Sequence, residues 1–182
     1  SENATFVEGI ATAFTNDFRI LKNLDTYELS EDLQLGFRVT GGARWAFPSP
    51  LTTQQFIEVG GAARYRFYQA DDLFTVSAAG GARFRPGTTT ANERFAAEVL
   101  NYSPSFHGGR LMTRLLLDLR WNDLNNRQLL LGGSQGLRGT QAEQFSGRNL
   151  VLANVEYRTR PIAFVLGSYL GFVLFYDVGS AF

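Results

Sequence analysis

Cysteine is absent from the 182-residue chain, which excludes disulfide staples and thiolate metal sites. Lysine, the usual solvating charge of a soluble surface, is nearly absent too, with Lys22 the only one among 17 basic residues. The rest are arginines, whose planar fork suits fixed, hydrogen-bonded positions. Neither charge sign is in excess, because 17 acids balance the bases, and nucleic acid is not expected as a partner. Histidine occurs once, as His107 in "SFHGG", with no serine and acid at triad spacing. A turn histidine is the expectation, and with it no catalytic residue, no metal, no cofactor and no enzyme activity. The longest apolar run, "FVLGSYLGFVLFY" from Phe164, falls short of the roughly 20 residues a helix needs to cross a bilayer. No basic start, apolar stretch and small-residue cleavage site opens the chain, so Ser1 is not expected to be a gene start.

Aromatic residues at 14% and 19 glycines favour strands and bends over helices. In residues 33–47, "LQLGFRVTGGARWAF", the odd positions carry Leu35, Phe37, Val39, Ala43, Trp45 and Phe47, while the even positions carry Arg38, Thr40 and Arg44. That period of two is the pattern of a strand with unlike faces. Residues 54–68 repeat it, with Ile57, Val59, Tyr65 and Phe67 against Glu58, Arg64 and Arg66. Residues 72–85 set Phe74, Val76 and Phe84 against Thr75, Arg83 and Arg85, and residues 110–121 set Leu111, Leu115, Leu117 and Leu119 against Arg110, Arg114, Asp118 and Arg120. Weaker alternation at residues 5–18, 92–102, 148–160 and 164–182 brings the expected total to about eight strands.

Such strands exceed the usual ~5–6 residues of soluble sheets and match the ~9–11 of a tilted bilayer crossing. A soluble barrel would fill its interior with aliphatic side chains. Here the polar face holds arginines and carboxylates, and burying such charges unpaired costs several kcal/mol each. The expected fold is therefore all-β, a transmembrane antiparallel β-barrel of outer-membrane type, as one domain over residues 1–182. Its apolar face meets lipid, and the lumenal arginines Arg38, Arg64, Arg83 and Arg114 join a cross-strand charge ladder. Trp45, Phe47, Tyr65, Phe67, Tyr68, Phe84 and Trp121 are expected to form interfacial girdles. Asp71 and Asp72 read as turn residues rather than a cation site. The turns "QADD" and "RPIA" are expected to be short and to alternate with "PSPLTT" and "PGTTTAN" on the other rim, and "KNLDTYELSED" is expected to hold a small surface insertion.

One stretch breaks the alternation: "LGGSQGLRGTQAEQFSG", residues 131–147, is rich in glycine and carries a single arginine. Loops of this length are usually functional or disordered. On the two segments after it, parity places Glu156 with Asn154, Arg158 and Arg160, and Asp177 opposite Phe172, Leu174 and Tyr176, so both carboxylates point to the charged face. "LRG" at residues 137–139 after a glycine pair, "FSG" at 145–147, "EYR" at 156–158 and "FYDVGSAF" at the end together resemble the carboxy-terminal signature of the outer-membrane barrel-assembly superfamily, the bacterial surface antigen domain shared by BamA, TamA and the two-partner secretion translocators. The resemblance implies that the loop folds into the lumen and that Arg138, followed by Gly139, contacts Glu156 and Asp177 as a lock. Thr140 departs from the family, which often has an aromatic residue there.

The resemblance further implies a Gram-negative outer-membrane protein that assembles or translocates other proteins without chemistry of its own. Its partners would be outer-membrane lipids and client or passenger proteins. The alternative is a barrel anchor for an upstream passenger such as a patatin-like lipase, or a small outer-membrane enzyme or pore. Family barrels have more strands than this chain, so the expectation is a piece of a larger barrel, completed by missing strands or by a second copy.

Overall fold

A computed structural model describes residues 3–22, 24, 30–50, 52, 54–87 and 90–182. The strands are β1 (Phe6–Phe14), β2 (Asp17–Lys22), β3 (Ser30–Ala46), β4 (Phe56–Gln69), β5 (Asp72–Phe84), β6 (Ala91–Tyr102), β7 (Gly109–Trp121), β8 (Leu129–Leu131), β9 (Phe145–Gly147), β10 (Leu150–Thr159), β11 (Ile162–Ala163), β12 (Tyr169–Leu170) and β13 (Val173–Ala181). Among the described residues, nine strands form one sheet in the order β1-β3-β4-β5-β6-β7-β10-β13, with β2 also paired to β3. All its pairs are antiparallel. The alternating segments are thus strands, as their period dictates.

The sheet does not close into a barrel: among the described residues, β1 and β13 are unpaired edges of an open sheet. Eight strands enclose little more than their own side chains. Here the inner face must also hold the long connection from β7 to β10. The sheet nevertheless curls. Arg158 Nη1 on β10 donates to the Leu24 carbonyl just beyond β2 at 3.2 Å. Six inter-strand steps separate these elements and would span about 29 Å if the sheet were flat.

The register fixes the two faces. Arg38, Arg64, Ser77, Glu98, Leu116, Leu152 and Gly179 lie in one cross-strand row of the inner face. The outer face exposes Phe37, Val39, Trp45, Ile57, Tyr65, Phe67, Phe74, Phe84, Leu115, Trp121, Val151 and Tyr176. Two expected outward residues face inward instead. Gly36 has φ +76° and closes against Thr15, where an added Cβ would meet the Thr15 hydroxyl at 2.6 Å. Below this kink Leu33 and Leu35 join Leu21, Leu24, Leu73, Tyr102 and Met112 in an inner apolar cluster, which also holds the expected girdle residue Tyr68. Parity counted straight through a left-handed glycine fails, because that residue resets which side the next one faces.

Residues 5–18 were expected as one strand; they break after Phe14 and resume as β2. The connection after Arg160 is not short. Pro161 ends the pairing of β10, and β11 and β12 form a hairpin of their own before β13 starts at Val173 rather than near Phe164. The insertion expected in "KNLDTYELSED" lies largely outside the described residues, at 23 and 25–29, as do residues 51, 53, 88 and 89 of the connections "PSPLTT" and "PGTTTAN".

The turn at Ala70 and Asp71 is tight, with φ +51° and +66°. Asp71 accepts from the Ser105 amide and hydroxyl, both at 3.2 Å, and from Arg110 Nη2. Partial burial alone would raise the Asp71 carboxyl, but the bonds from Arg110 and Ser105 outweigh it and hold the pKa below the ordinary aspartate value. Asp72 accepts from Asn101 Nδ2 at 2.6 Å. Both acids serve the turn.

Candidate functional site: a loop held on the inner face

The connection from β7 to β10, residues 122–149, has structure of its own. The β8–β9 ribbon brings Leu129 opposite Gly147 and Leu131 opposite Phe145, and a 3-10 turn follows at Gly133–Gln135. Leu131 and Leu137 are buried against Leu150 and Leu152 of β10, with Leu116 of β7 packed beside them. Gly136 has φ +104°, and a Cβ there would lie 2.5 Å from Leu152 Cδ2. Only glycine lets the loop lie this close to the wall. Thr140 Oγ1 donates to the Leu137 carbonyl at 2.8 Å and accepts from the Gly133 amide at 3.3 Å, closing the turn that carries the arginine. Gly139 takes φ +81° in open space.

Arg138 leaves this turn and reaches both carboxylates of the next two strands. Its Nε and Nη2 donate in parallel to Asp177 Oδ2 and Oδ1, each at 2.8 Å, and its own amide donates to Oδ2 at 3.0 Å. Its Nη1 donates to Glu156 Oε2. The side chains of Asp177 and Glu156 are 2% and 7% exposed, while that of Arg138 is 34% exposed. Fork and carboxylate are matched in plane, which makes this a bidentate charge-assisted pair. The guanidinium also stacks 4.1 Å from the centroid of Phe175.

Two residues complete the arrangement beyond what motif reading offers. Asn154 donates from Nδ2 to the Gly136 carbonyl at 2.6 Å and to Asp177 Oδ1 at 2.7 Å, bridging loop and wall. Arg158 Nε donates to Glu156 Oε1, so Glu156 is shared between two arginines. Asn154 shares its strand face with Glu156, and that parity is the signal that could have placed it.

No protein-family model, no curated protein and no solved structure matches this chain. The geometry therefore carries the functional argument.

The arginines expected on the charged face all lie on the inner side. Arg83 pairs with Glu58 at 3.4 Å and Arg114 with Glu98, and Arg44 with Glu8 and Arg94 with Asp118 extend the ladder at 3.0 and 2.7 Å. Arg38 and Arg64 stand directly opposite one another. His107 lies in its turn at φ +47°, its carbonyl accepting from the Tyr157 hydroxyl at 2.8 Å.

The loop's apolar anchor can be tested apart from its ion pairs. Leu131 is fully buried, so Leu131→Ala should cost about 3 kcal/mol. Local opening by that amount corresponds to roughly 100-fold faster protease nicking between Gly133 and Gly147. An unchanged nicking rate would mean that the anchor does not hold the loop.

Proposed function

We propose that this sheet is part of the membrane-spanning wall of an outer-membrane β-barrel of the protein assembly and translocation type. The observation that carries the proposal is the Arg138 lock, a loop pinned by two carboxylates to a charged inner wall whose opposite face is apolar and exposed. Exposed aromatic residues of the outer face cluster toward both strand ends. On β5, Phe74 and Phe84 are ten residues apart, about 34 Å along the strand and about 25 Å along a bilayer normal at ~40° tilt. That matches the height of the apolar band in outer-membrane barrels.

In lipid the open edges need partners, since unpaired backbone groups cost several kcal/mol each. β1 runs from the long-loop rim toward the turn rim and β13 runs the other way, so each edge can accept an antiparallel strand. Further strands, supplied by more chain or by a second copy, would complete a lumen wide enough for the loop. The proposed location is the Gram-negative outer membrane, and the proposed partners are its lipids and client proteins.

The test is made in cells whose full-length gene carries Arg138→Ala. Assembled or secreted client proteins should fall while this protein still reaches the membrane. Unchanged client levels with a released loop would overturn the assembly reading.

A further inference from the structure

Arg38 and Arg64 stand apart from the charge ladder of the inner face. Arg44, Arg83, Arg94, Arg114, Arg120 and Arg158 each stand within 4.0 Å of a carboxylate. Arg38 and Arg64 do not. They are direct cross-strand partners on β3 and β4, an arrangement that is destabilising for like charges. Among the described residues no hydrogen bond or ion pair is made by the Arg38 guanidinium. Arg64 donates only to the Gln34 amide oxygen at 3.1 Å, and its buried Nε has no partner.

Both arginines open onto one cavity of about 380 Å³. Its floor is shallow, because Ala62, Ala79 and Ala96 bring only methyl groups, and Thr40 and Ser77 add hydroxyls beside the arginines. Thr40 already shares a hydrogen bond with Thr12 at 3.1 Å. The other charged groups on the cavity are spoken for: Glu98 is bonded to Arg114, and Arg94 is bonded to Asp118 through two donors. Two arginines without a carboxylate partner, beside the hydroxyls of Thr40 and Ser77, leave the positive charge of this pocket only partly offset by Glu98, which is itself bonded to Arg114.

We propose that Arg38 and Arg64, with Thr40 and Ser77, form a binding site for a phosphate-type oxyanion on the inner face of the sheet. Arg38 offers its fork and Arg64 the N–H groups not committed to Gln34, and the hydroxyls supply further donors. An anion here would also relieve the repulsion between the two arginines, so occupancy and sheet stability are coupled.

The test is a titration of the folded protein in zwitterionic detergent at low salt with inorganic phosphate, followed by calorimetry and by phosphorus NMR. The expected result is one saturable site per chain, weakened at least tenfold by either Arg38→Gln or Arg64→Gln and left unchanged by Arg44→Gln, whose arginine is paired with Glu8. A second variant guards against simple misfolding. Arg38→Glu should abolish phosphate binding and yet raise the urea midpoint, because it places a carboxylate opposite Arg64. Absence of saturation in the parent protein, equal loss in Arg44→Gln, or a lowered midpoint in Arg38→Glu would each overturn the site.

Discussion

Asp177→Asn is expected to release the loop from the wall while the sheet itself stays folded. Asp177 accepts three bonds from Arg138 and one from Asn154 and is almost wholly buried, so the substitution removes one acceptor oxygen and leaves Glu156 as the only carboxylate on the guanidinium. Breaking a buried pair by changing one partner costs about 3–5 kcal/mol, and the one-third exposure of Arg138 sets the expectation at the low end, about 3. Arg138→Ala should cost a similar amount. The double variant should cost clearly less than the sum of the two, because each change removes the same contact. Arg138→Lys should rescue poorly, since an ammonium cannot span Asp177 in parallel while also reaching Glu156. Protease nicking between Gly133 and Gly147 reports the loop directly. Strict additivity of the two substitutions would show that the pair is not the lock.

Leu117→Arg is expected to hinder insertion into bilayers by about 2–4 kcal/mol if it lies near the midplane, and Leu115→Arg should behave alike, because both side chains lie on the outer face of β7. Leu116→Arg, between them, faces inward and is expected to act differently. Sequence alone suggests a mild effect for a lumen-facing arginine, but Leu116 packs against the cluster of Leu131, Leu137, Leu150 and Leu152. Its replacement should therefore loosen the loop and raise nicking. Folding into lipid vesicles, scored by gel mobility, separates the two outcomes. If all three variants insert equally well, the outer face of β7 does not meet lipid.

The strands were legible because nothing competes with a period of two over so many residues, and Glu156 and Asp177 were placeable because no kink lies between them and their neighbours. Tyr68 keeps the parity of Arg64 and Arg66 and faces inward with them, so its place near a strand end does not make it a girdle residue. Leu35, by contrast, departs from the alternation of its strand for a local reason. Gly36 turns the backbone left-handed and reverses the parity below it, and a sequence does not announce the φ of a glycine. The hairpin after Arg160 was hidden because "FVLGSYLGFVLFY" is polar only at Ser168 and its tyrosine hydroxyls, which leaves no alternation to mark where β12 ends and β13 begins. The juxtaposition of Arg38 and Arg64 depends on which strands are neighbours. That is a property of the register, which the pattern of one strand cannot supply.

Asp177 belongs to β13, an edge strand of the sheet, and it sits directly opposite Asn154 on β10. Arg138 therefore cannot find its full set of acceptors until β13 has paired with β10, although the arginine lies 39 residues earlier in the chain. A slip of one residue between β10 and β13 would turn Asp177 to the outer face and leave the fork with a single carboxylate. The full set of bonds to Arg138 thus requires β10 and β13 to be paired in this one register.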